Sequence, residues 1–314
     1  MNLLKLPAYI RGLNEYVKQK LALQTLDPRT FRLFYYTKAE HLEYILRTGN
    51  LKVTQLGHSN DPFEYRPSLK DAEEENKWDS WMPTMAPCTV CLSTRMSSPV
   101  MWGHYAEHGE GICLVFDLPL SSMRGTLRPK YFNDDNYKVY CCHSQGGKSF
   151  FLHEVVYTDV RLSLNKVRDY MKSPTQRLVN FFKFFATKSS DWSYEQEFRV
   201  QVLEEALHAE KGVLFTNILK ECLSGIILGY RCKYSYTYVK TLLKETNNEA
   251  ICVSKAKLSP THYKIAVMSM DFKLFEDTSI EDLHAYYKNS IIGEESHFKM
   301  IFELCRQYLQ EYKL

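Results

Sequence analysis

The chain has 314 residues, 45% of them hydrophobic and 14% aromatic, enough to bury one large core or two modest ones. Charged residues make up 25% and the formal net charge is +3, too mild a basic excess to argue for a nucleic-acid protein by electrostatics alone. No run of about 18 apolar residues occurs, against a membrane-spanning helix, and nine scattered cysteines behind a start without an apolar leader point to reduced thiols in the cytoplasm.

In chain order, Ala8, Tyr9, Leu13, Tyr16, Val17 and Leu21 space apolar groups for a leading helix over residues 8–23. Phe31 to Tyr36 reads as a strand. Thr37, with Glu40 three residues on, has the arrangement of a capping box, and Ala39, Leu42, Ile45 and Leu46 make an apolar stripe stopped by Gly49-Asn50. A short strand is expected from Leu51 to Val53, and Ser59-Asn60-Asp61-Pro62 has turn chemistry. Residues 70–80 are acidic and polar, an exposed helix or loop. Cys88 to Ser93 reads as a strand, Pro99 to His108 as a short helix, and Ile112 to Phe116 as a buried strand ending at Asp117-Leu118-Pro119.

Farther along, Glu154 to Tyr157 suggests a strand, and residues 160–187 a helix with Leu178, Phe181, Phe182 and Phe185 on its apolar side. Strands are expected at 195–203, 225–229 and 263–269, and a helix at 235–246. From Ile280 onward, leucine and aromatic repeats fit two closing helices. No repeat or interdomain linker divides the chain. The pattern predicts one α+β domain over residues 1–314, with a mixed, mainly antiparallel sheet and helical additions at both ends, the last over about 270–314.

Four clusters carry chemistry. Trp192 to Val200 contains Glu195 and Glu197, which on one strand would share a face about 6–7 Å apart, with Arg199 next along. A solvent-facing sheet edge is the plain alternative. Tyr35 and Tyr36 end a strand just before a capped helix, so one points to the core; Tyr36, at the strand end, is preferred for a pocket. Thr37 caps that helix or contacts a ligand. Asn60 and Asp61 make an Asx-type turn or present polar groups to a sugar or amide. Met101-Trp102-Gly103-His104-Tyr105 offers either an aromatic platform, with Trp102 and Tyr105 on one side, or a packed corner; His104 has no partner in sequence. Ser93 can buttress a carboxylate or cap its strand. Cys88 and Cys91 form one C-x-x-C, but Cys141-Cys142 is adjacent rather than spaced, so buried apolar thiols suit it better than zinc. A metal-dependent hydrolase lacks a ligand spacing such as H-x-x-x-H.

With these residues assembled, the chain resembles a bacterial family of uncharacterised domains, domain of unknown function 2971. The resemblance rests on Ser59-Asn60-Asp61-Pro62-Phe63-Glu64, on Met101 to Tyr105 with Gly111-Ile112-Cys113, on Trp192 to Arg199 and on Gly225 to Gly229, and covers about residues 31–230. More distantly, Phe34 to Gly49 is similar to the opening of ADP-ribosyltransferases, with Ser93 as their strand serine and Glu195-Gln196-Glu197 as their closing motif. Tyr36 stands where many members have His.

That similarity implies an ADP-ribosyltransferase-like fold and a transferase or NAD glycohydrolase that uses NAD as substrate, with a protein or nucleic-acid acceptor and a role in bacterial defence or as a toxin. Glu197 would stabilise the oxocarbenium-like ribose and Glu195 activate the acceptor. Tyr36, with Tyr105 or Trp102, would stack on nicotinamide or adenine, and Arg199 meet the pyrophosphate or pair with Glu197. A binding or sensor module without catalysis is the competing expectation.

Overall fold

Thr30–Thr37, rich in aromatic residues and flanked by threonines, forms an eight-residue strand, β1. In the computed structural model, which describes residues 30–269 apart from 57–58, 70, 86, 120–122, 127–137, 145–146 and 164–182, this strand lies near the middle of the sheet. Two short strands follow, β2 (Leu51–Lys52) and β3 (Thr54–Gln55), and then β4 (Cys88–Ser93) and β5 (Ile112–Pro119). Next come β6 (Met123–Thr126), β7 (Val139–His143), β8 (Ser149–Glu154), β9 (Val156–Thr158) and β10 (Thr187–Ser189). The chain continues with β11 (Glu197–Gln201), β12 (His208–Glu210), β13 (Val213–Thr216), β14 (Leu223–Leu228), β15 (Cys252–Leu258) and β16 (Ile265–Ser269). Helices α1 (Leu42–Thr48), α2 (Ala72–Met85), α3 (Pro99–Tyr105) and α4 (Tyr236–Glu245) lie between them.

The architecture is mixed α+β. One mostly antiparallel sheet runs in the order β16-β15-β14-β5-β1-β4-β11-β8-β7-β6, with β3 beside β4; within it, β14 and β15 pair in parallel. β1 pairs with β5 along its whole length, from Thr30↔Pro119 to Thr37↔Ile112. With β4 it shares a single register pair, Phe34↔Ser93. The other edge of β4 is taken throughout by β11, from Glu197↔Ser93 to Gln201↔Thr89. β3 occupies the rest of the first edge at Thr54↔Thr89 and Gln55↔Cys88. β1 therefore peels away from β4, and a gap opens between two central strands.

Strand alternation sorts β1 onto two cores. Leu33 joins Leu114, Ile226 and Val253, covered by Leu42, Ile45 and Leu46 of α1 and by Val239, Leu242 and Leu243 of α4. Phe34 and Tyr36 face the other way, to Val115, Ile227 and the α3 residues Met101 and Trp102. α1 ends at Gly49 in the left-handed conformation, φ +78°, as its position predicts. α3 starts with Ser98 accepting from Met101 N and Pro99 in the first turn.

Several expectations change. The capping box at Thr37 does not form, because Thr37 is still strand and its Oγ1 lies 2.8 Å from His41 Nδ1; a 3-10 turn over Ala39–His41 leads into α1 without a side-chain cap. The proposed strand from Glu154 to Tyr157 breaks at Val155, whose N–H turns to Glu197 O at 3.0 Å. Of the proposed helix over 160–187, residues 164–182 lie outside the described residues, 160–163 are not helical, 183–185 are, and Thr187 already opens β10, which pairs in parallel with β9. β15, and the sheet of β12, β13 and β2, were not anticipated. The leading helix and the 270–314 extension lie outside the described residues. Among the described residues no helix is long and apolar enough to cross a membrane.

Candidate functional site

Where β1 leaves β4 there is a cleft of about 300 Å³. Phe34, Tyr35 and Tyr36 line it from β1, Thr54 from β3, and Cys91, Leu92 and Ser93 from β4. Further lining comes from Asn60 and Glu64 of the turn region, Met101 and Tyr105 of α3, and Lys188, Glu195 and Glu197, together with Lys52, Leu56 and Ser59. The tyrosines before α1 and the late glutamates thus look into one space.

The glutamates reach it by a route other than the expected one. Glu197 opens β11, but Glu195 ends a 3-10 helix, Ser190–Glu195, and Gln196 between them is left-handed with φ 42°. They do not share a strand face. Ser93 secures this turn: its Oγ donates to Glu195 O and accepts from Arg95 N at 2.9 Å, while Thr94 N donates to Gln196 O at 3.1 Å. The carboxylates converge instead on Lys188, whose Nζ is 2.6 Å from Glu195 Oε2 and 3.4 Å from Glu197 Oε2. Behind them Arg199, fully buried, forks onto Glu197 at 2.8 and 3.0 Å and onto Glu64 at 2.9 and 2.8 Å. Its remaining reach goes to Phe185 O.

Three carboxyl groups therefore face two cations in a buried cluster, leaving one negative charge without a local partner. The groups divide that charge unequally. Burial opposes ionisation of Glu197, yet Arg199 and then Lys188 hold its carboxyl well below the usual carboxylate range. Burial raises Glu195 and Glu64 above that range, only partly offset by Lys188 for the first and Arg199 for the second. Burial also opposes the charge on Lys188, but Glu197, Glu195 and Glu64 raise it above an ordinary lysine. Tyr105 donates its hydroxyl to Glu195 Oε1 and accepts from Asn60 Nδ2 at 3.1 Å, so the turn steadies the tyrosine through which α3 holds that carboxyl.

Other candidates fall differently. Tyr36 lines the cleft, but its hydroxyl donates to Arg95 O at 2.6 Å and its ring meets Trp102 edge-on at 5.2 Å. Tyr35, on the opposite face of β1, has its hydroxyl pushed up to about 12 by burial. Trp102 is core, fully buried with Nε1 donating to Met96 O at 2.8 Å, and does not line the cleft. His104 pairs with Tyr194 OH at 3.1 Å, and Thr37 with His41; neither lines it. Asp61 faces a neighbouring pocket, and Arg199 is sealed beneath the carboxylates rather than open to a ligand. Among the described residues no group of three or more His, Cys, Asp and Glu side chains is arranged to hold a metal. Sequence reasoning missed Lys188 and the part played by Glu64. A lone lysine reads as solvated, and only the fold closes the ion cluster; Glu64 had a signal in its nearness to Asn60-Asp61.

Residues 101–200 match the model of a family described as protein of unknown function, DUF2971. The match takes in α3, β5 and the first residues of β11, and so Tyr105, Lys188, Glu195, Glu197 and Arg199. No curated protein and no solved structure matches the chain.

Proposed function

We propose that the cleft takes NAD and breaks its nicotinamide–ribose bond, passing ADP-ribose to an acceptor or to water as an ADP-ribosyltransferase-like enzyme. The observation that carries this reading is a pair of carboxyls at one cleft wall pushed in opposite directions, within a buried cluster of three carboxyls and two cations. Breaking the bond sends its electron pair to nicotinamide and leaves positive charge on the ribose. Glu197, a permanent anion fixed by Arg199, is suited to face that charge. Glu195, with a raised carboxyl and Tyr105 at Oε1, is suited to take the proton of the attacking nucleophile. Further support comes from the sheet order, since the strands bearing Tyr36, Ser93 and Glu197 lie side by side as β1, β4 and β11. A role in bacterial defence or as a toxin extends this proposal through the resemblance alone.

The test is nicotinamide release and label transfer from radiolabelled NAD. Glu197→Gln is expected to lower the rate by about 10²-fold or more, and equal labelling by the variant ends the proposal. A second reading, a sensor that holds a nucleotide without turning it over, is favoured by one observation: both oxygens of Glu197 are already occupied by Arg199 and Lys188. Saturable NAD binding with no nicotinamide released in the same assay selects it.

A further inference from the structure

Lys52 stands between Leu51 and Val53, both buried in the main core. Burial alternates along this stretch, so Lys52 and Thr54 turn to the other side, where both line the cleft. Among the described residues the cleft wall holds one further basic side chain, Lys188, and three carboxyls already surround it. Lys52 is exposed and forms no ion pair or side-chain hydrogen bond among the described residues; the Thr54 hydroxyl is likewise without a partner there. Register fixes where this pair sits. Thr54 pairs with Thr89 and Glu197 with Ser93, on opposite edges of β4, so four residues, about 13 Å, separate the two levels along that strand. The cleft therefore has carboxyls toward one end and an unpaired ammonium beside a free hydroxyl toward the other.

An ammonium and a hydroxyl side by side offer donors to the oxygens of a phosphate ester. We propose that Lys52 and Thr54 hold the phosphates of a nucleoside diphosphate moiety, which lies along β2 and β3 with the rest of the ligand directed at Glu195 and Glu197. This rests on the NAD reading for its orientation: with the pyrophosphate at Lys52, the nicotinamide ribose is brought toward Glu197. It also gives to a reachable cation the part that Arg199, sealed behind the carboxylates, cannot play.

The probes are ADP and adenosine, neither of which carries nicotinamide, titrated into the full chain by calorimetry. ADP is expected to bind about tenfold more tightly than adenosine, with the margin shrinking as salt is raised. Lys52→Met, on an exposed position, is expected to keep its melting temperature and weaken ADP about fivefold while adenosine is unchanged. Thr54→Val is expected to weaken ADP about threefold. ADP bound no more tightly than adenosine, or an ADP affinity unaltered by Lys52→Met, overturns the proposal. Nicotinamide release from NAD separates this inference from the reading it rests on. A chain that holds ADP through Lys52 yet releases no nicotinamide keeps the inference and loses the reading. Release with an unaltered KM in Lys52→Met does the reverse.

Discussion

At the scale of single residues the ion cluster sets the behaviour of the site. Removing Arg199 leaves Glu64 and Glu197 buried without their main counter-charge, so Arg199→Met is expected to cost about 3–5 kcal/mol in chemical denaturation. The pH dependence follows from the signs. Glu197 has a depressed folded value, so its contribution to stability is in place above the unfolded value of about 4.3 and is lost only as pH falls through its far lower folded value. Glu195 and Glu64 are raised; they favour the folded state while protonated, and that contribution fades as pH rises through their folded values. If Glu195 acts as the base, the rate falls on the acid side of its raised value. Lys188→Met takes away the cation that lowers Glu195, so this acid limb should move to higher pH in the rate of nicotinamide release. A limb unmoved by that change would remove Glu195 from the role of base. Glu195 and Glu197 stand out in the sequence as a carboxylate pair, but Lys188 does not, because nothing local distinguishes a buried lysine from a solvated one.

At the scale of elements, close backbone approaches hold the strands and α3 in register around the cleft. Gly229 ends the strand region of β14 where an added Cβ would sit 2.2 Å from Gly109 O and 2.6 Å from Gly111 O. Backbone cannot retreat as a flexible side chain can, so Gly229→Ala is expected to cost about 1–3 kcal/mol. Gly103 lies inside α3 with nothing within 4 Å of an added Cβ. Gly103→Ala should stabilise by about 0.5–1 kcal/mol through helix propensity. Paired thermal or denaturant melts of the two variants check both signs. The Gly225 to Gly229 run was readable as a buried strand from its apolar residues, whereas the need for glycine at its end comes from a chain segment more than a hundred positions earlier.

At the scale of the whole molecule, the span that matches the family model is not a self-sufficient unit. In the sheet, β1 and β4 lie between β5 and β11, yet both precede residue 101. A fragment of residues 101–200 would expose the edges of β5 and β11 together with their apolar faces. It is expected to show no cooperative thermal transition by circular dichroism, and a sharp one would refute this account of the sheet. The same order places the cleft: β1 meets β4 only at Phe34↔Ser93, and β3 takes the rest of that edge of β4 at Thr54↔Thr89 and Gln55↔Cys88.

Local patterns were enough to read β1, the α1 stop at Gly49, β4, β5, β14 and α4, because alternation, apolar runs and turn residues act over a few positions. They also singled out Glu195, Glu197, Tyr105 and Asn60 as chemistry-bearing. Only the tertiary structure decided that Glu195 leaves the strand, that Trp102 is core, and that Lys188, Arg199 and Glu64 gather behind the carboxylates. Those outcomes depend on burial and on charges brought together from distant positions, and electrostatic energy in a low-dielectric interior is set by distance in space rather than by separation along the chain.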